Sequence, residues 1–116
     1  KKAKKEIDEL KKEFYEKVNV PGTQFEFNQE LEKALRLEDF FEIGKLMAID
    51  ALNRTESCGG HFRIESQTEE GEAKRDDANF MYVAAWEYKG EGNEPELHKE
   101  PLKYEFIEVK TRNYKD

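Results

Sequence analysis

The chain has 116 residues, of which 41% are charged and 36% apolar, and its net charge is −7. This describes one domain, or a piece of a larger protein, with a thin core; 8 Phe, 5 Tyr and 1 Trp are too many aromatics for a disordered chain. The sequence has no basic stripe for nucleic acid, no apolar run of the roughly 18 residues a membrane span needs, and no secretory leader pattern.

Residues 2 to 20 read as the first helix. Ile7, Leu10, Phe14 and Val18 fall three, four and four apart, one apolar stripe. Glu13 and Lys17 make a favourable i,i+4 pair, and Lys12 with Glu16 adds a weaker one. Val20-Pro21-Gly22-Thr23 stops the helix. Four lysines stand at its start, where the helix dipole prefers acids, and no capping residue precedes them. The expectation is a helix that began upstream in a longer parent chain.

Residues 28 to 55 read as a second helix, with Asn28 as its N-cap. Its first half is amphipathic. The second half, with Phe40, Phe41, Ile43, Leu46, Met47 and Ile49, is apolar around most of its circumference. Two helices cannot bury such a surface, so a partner for it is expected outside the chain. Gly44 and the alanines permit close backbone approach.

Ser57-Cys58-Gly59-Gly60 breaks this helix. Residues 64 to 79 are polar and acidic and read as a loop. Residues 80 to 88 read as a strand, residues 89 to 96 as a turn, and Tyr104, Phe106, Ile107 and Val109 as a second strand paired antiparallel to the first. The fold class expected is mainly α with a β-hairpin tail: long antiparallel helices of a truncated helical bundle, a glycine turn, a loop and a two-stranded ribbon. The divisions are 1–56 (helical), 57–79 (glycine turn and acidic loop) and 80–116 (hairpin tail).

The densest chemistry lies in Arg54-Thr55-Glu56-Ser57-Cys58-Gly59-Gly60-His61-Phe62-Arg63. A Cys58–His61 nucleophile pair is one reading, but nothing in the spacing enforces contact and no oxyanion-hole pattern flanks it. One cysteine and two distant histidines, His61 and His98, match no zinc pattern. A lone cysteine excludes an internal disulfide framework and fits a reducing compartment. The stronger reading is a docking turn: glycines let the backbone bend, and Arg and Glu supply paired, charge-assisted hydrogen bonds. Arg75-Asp76-Asp77 is a second charged candidate. Phe80, Tyr82, Trp86 and Tyr88 read as the packed face of a strand rather than a stacking platform.

The 54–63 cluster, followed by Arg75-Asp76-Asp77-Ala78-Asn79-Phe80, resembles the C-terminal domain of the flavoprotein subunit of fumarate reductase and succinate dehydrogenase. The family pattern runs Arg-x-Glu-Ser-Arg-Gly-Ala-His-x-Arg, an acid, then Arg-Asp-Asp-x-Asn-Trp. Phe27-Asn28, Leu37-Glu38 and the closing Arg112-Asn113-Tyr114 fit as well. Cys58 replaces Arg, Gly60 replaces Ala, Phe80 replaces Trp, and residues 67–73 lengthen the gap between the motifs.

The resemblance implies a parent oxidoreductase that interconverts succinate and fumarate at FAD. It implies two partners, the FAD-binding domain of the same subunit and an iron–sulfur subunit. It implies a bacterial protein in the cytoplasm, peripheral to the membrane through its complex. It assigns no catalytic, FAD-binding or metal residue to this chain, which alone is expected to be inactive. The residues expected at a domain or subunit interface are Arg54, Glu56, Ser57, His61, Arg63, Arg75, Asp76 and Asp77. Two alternatives stand beside this: the C-terminal domain of the related L-aspartate oxidase, and an independent protein-binding module.

Overall fold

A computed structural model describes residues 1–22 and 27–111. It is mainly helical with a two-stranded antiparallel sheet towards the C-terminus. The chain divides into two compact units, Lys1–Asn53 and Arg54–Asp116.

The first unit is a helical hairpin of α1 (Lys2–Lys17) and α2 (Gln29–Asn53). Asn28 caps α2: its Oδ1 accepts from the backbone N–H of Glu30 at 3.0 Å and of Leu31 at 3.1 Å. Its Nδ2 donates to the Pro21 carbonyl at 2.8 Å. Gly22 has φ +112°, and a Cβ there would meet Asn28 Nδ2 at 2.5 Å, so this turn demands glycine.

The helices run antiparallel. Asp8 meets Lys45 at 2.7 Å, Lys11 pairs with Glu42, the Tyr15 hydroxyl donates to Glu38, and Phe14 packs edge-on against Phe41 at 5.6 Å. The half-buried positions of α1 are 4, 7, 11 and 14, and those of α2 include 34, 38, 41, 45 and 48. This is a seam of alternating threes and fours. Leu10 and Val18 therefore depart from the expected stripe: they fall off the 4–7–11–14 line and are 53% and 51% exposed. Gly44 lets Ile7 Cδ1 come within 3.9 Å of where a Cβ would stand. Phe40, Ile43 and Met47 of α2 remain mostly exposed.

The second unit holds α3 (Asp77–Phe80), β1 (Tyr82–Glu87) and β2 (Glu96–Pro101). The strands pair in register from Tyr82↔Pro101 to Glu87↔Glu96. Tyr82, Ala84 and Trp86 share the more buried face of β1, with Leu97 opposite Trp86. The turn bends at Gly90 (φ +96°) and Gly92 (φ +77°), and Asn93 ties it by bonds to Gly90 and Lys89.

Two expectations are corrected here. The second strand is 96–101, not the 104–109 segment, which forms no strand. Residues 104–109 have the higher β-propensity, but the glycine turn directly after β1 fixes the register and brings Glu96–Pro101 alongside. The first strand starts at Tyr82, because Asp76 caps a short helix across residues 77–80. The closing Arg112-Asn113-Tyr114 lies outside the described residues.

Candidate functional site: a polar turn closed by two charged motifs

Among the described residues the buried ones are Glu56, Ser57 and Tyr82, 4%, 0% and 9% exposed, and all lie in the second unit. Two of them belong to the candidate cluster. Burying a charge requires a partner and hydrogen bonds, and Glu56 has both. Its Oε1 takes a 2.5 Å bond from Arg54 Nη1, and its Oε2 accepts from the Asp76 backbone N–H at 2.7 Å. Within the second unit the carboxylate thus joins Arg54 to the start of the second motif, 20 residues on from Glu56.

Arg54 is held from several sides. Nη1 also donates to the Phe80 carbonyl at 3.1 Å, and Nη2 to the Tyr82 carbonyl at 3.5 Å. The guanidinium lies over the Phe80 ring at 5.4 Å and the Tyr82 ring at 5.2 Å. These two aromatics do more than pack a strand. The pattern that the sequence resembles signals only the first of them, with an aromatic at position 80 after Arg75-Asp76-Asp77.

The glycine pair forms a tight turn. Cys58 and His61 exchange backbone bonds of 2.9 and 3.1 Å, with Gly59 at φ +58° between them. His61 Nε2 lies 2.8 Å from the Arg54 carbonyl. A carbonyl only accepts, so Nε2 is the donor in this bond. Ser57 Oγ accepts from the Arg63 N–H at 2.8 Å and donates to the Arg63 carbonyl at 3.2 Å. Arg63 Nη1 reaches the Arg54 carbonyl at 3.3 Å, and its Nε reaches Glu65 at 2.7 Å. The Glu65 carboxyl is held below its ordinary range, first by its own backbone N–H and then by Arg63.

Arg75 and Asp77 form a fork, Nε to Oδ1 at 2.8 Å and Nη2 to Oδ2 at 2.5 Å, which lowers the Asp77 carboxyl and raises the Arg75 guanidinium. Arg75 Nη1 also donates to the Lys110 carbonyl at 3.2 Å. Asp76 caps α3 through Oδ1 to the Asn79 N–H at 3.3 Å, and Oδ2 accepts from Asn79 Nδ2 at 2.8 Å. Arg54, Glu56, Ser57, His61, Arg63 and Asp76 therefore form one network, and the Arg75–Asp77 fork adjoins Asp76 in the chain.

The longer gap between the motifs does not keep them apart. It folds into a small hairpin, bridged at Gln67↔Ala73 and closed by Lys74 N–H to Ser66 O at 3.2 Å. Ser57 N–H then donates to Lys74 O at 3.0 Å. The insertion thus returns the chain to its starting point.

Dinucleotide binding needs a glycine-rich loop leading from a strand into a helix N-terminus. Gly59 and Gly60 instead join two halves of a bridged turn, which is not that loop. His98 lies in β2, where its Nε2 is 2.6 Å from Glu87. Lys89 bridges Glu87 at 3.1 Å and Glu96 at 3.0 Å. No helix among the described residues is long and apolar enough to cross a membrane.

The family model for the fumarate reductase flavoprotein C-terminus matches residues 1–114. A fumarate reductase flavoprotein subunit of Proteus vulgaris is 36% identical over 90 residues, 76% of this chain. One of Serratia sp. (strain ATCC 39006) is 33% identical over the same share. In both cases the match spans 14% of the relative's length.

Proposed function

The chain belongs to the fumarate reductase flavoprotein C-terminal family, and from that premise we propose that it is a scaffold and docking domain of such a flavoprotein. The parent interconverts succinate and fumarate at FAD and exchanges electrons with an iron–sulfur subunit. Both the flavin and the dicarboxylate are held by parts of the protein outside this chain, and the chain alone has no turnover. The complex lies on the cytoplasmic side of a bacterial membrane, which this chain does not enter.

One observation carries the docking role. The polar turn is satisfied from within, and therefore rigid, yet it is rimmed by exposed apolar side chains. Phe62 is 52% exposed and Ile64 83%, on either side of Arg63. A preorganised turn loses little entropy on binding, and exposed apolar groups around it gain by being covered. Glu56 and Ser57 are buried and hold the turn, His61, Arg63, Arg75 and Asp76 are half-buried, and Asp77 is exposed. Arg54 is so engaged within its own unit that reversing its charge would break the turn rather than report on docking.

The test is a calorimetric titration of this chain with the separately produced remainder of its flavoprotein, with and without the iron–sulfur subunit. Binding at about micromolar affinity, ~8 kcal/mol, is expected. Arg75→Glu should weaken it about tenfold or more, ~1.4 kcal/mol, with Trp86 fluorescence unchanged, whereas Arg63→Glu is expected to weaken it while also loosening the turn. A folded monomer that binds neither component would instead favour the independent module.

A further inference from the structure

We draw no further inference here: the strongest candidate, the exposed Glu87–Glu96–His98 cluster at the turn end of the β-ribbon, whose ligand atoms lie within 4.8 Å of one another, is already closed by Lys89 bridging both carboxylates, and nothing independent of these side chains points to a bound cation.

Discussion

The helical hairpin and the unit that follows it solve the same problem in opposite ways. Most of the described residues of Lys1–Asn53 are helical, yet neither helix has a buried residue. Its seam is half-buried and edged by ion pairs such as Asp8–Lys45, whose side chains are 48% and 28% exposed. Such pairs are worth roughly 0–1 kcal/mol and weaken with salt. The described residues of Arg54–Asp116 have little regular structure but hold every buried side chain among the described residues. Its interior is a carboxylate, a hydroxyl and a tyrosine ring, fastened by directional bonds. Helix content is therefore a poor guide to where this chain is held together.

The comparison breaks most sharply at Glu56. Removing a buried, paired carboxylate strands its partner, at a cost of roughly 3–5 kcal/mol. Arg54 is 20% exposed, which places Glu56→Ala near the lower end, about 3 kcal/mol. The Asp76 N–H loses its acceptor as well. The two units carry separate reporters, since the single tryptophan, Trp86, is in β1 and the two long helices are in the hairpin. Denaturant titration of Glu56→Ala should move the Trp86 fluorescence transition far more than the helical circular dichroism. An unmoved Trp86 transition would mean that the polar turn does not hold the second unit.

The matching cut in the hairpin is Phe41→Ala. Phe41 is half-buried and meets Phe14 edge-on, so the loss is about 2 kcal/mol, below the roughly 3–5 of a fully buried ring. Here the circular dichroism should move and the tryptophan should not. Asn28→Ala probes the same unit by a smaller step, about 1 kcal/mol, through the lost N-cap bonds to Glu30 and Leu31. A loss of helicity no greater than in an exposed control such as Gln29→Ala would show that the cap is idle.

How much was legible follows from these same residues. Asn28, the stop at Pro21-Gly22 and the apolar spacing announced the hairpin, because helix signals are local. The spacing did not reveal that the seam runs through Lys11 rather than Leu10, since α2 decides which line of α1 faces it. The candidate site was legible as two charged motifs. That Glu56 joins Arg54 to Asp76 was not, because a bond between residues 20 apart depends on how the intervening chain folds. The second strand was misplaced for a related reason. Tyr104, Phe106 and Ile107 have strand propensity, but pairing is awarded by the turn that precedes it, and the turn delivers Glu96–Pro101.

The smallest effect tests the far end of the ribbon. Glu87 sits below its ordinary carboxylate range, first through the bond from His98 and then through Lys89. A depressed acid contributes stability above its unfolded pKa, and that contribution fades as pH falls through the lowered value. The ribbon should therefore loosen at its turn end only in acid. The group is solvent-exposed, so global melts will hardly register it; carboxyl NMR of Glu87 is the suitable measurement. In His98→Ala the Glu87 midpoint should rise part of the way towards an ordinary glutamate. The remaining shift should disappear when Lys89→Ala is added. A midpoint already ordinary in the unmodified chain would mean that the cross-strand contact does not persist in solution, and that the register is held by the backbone pairing and by other cross-strand contacts such as Lys99 over the Tyr82 ring.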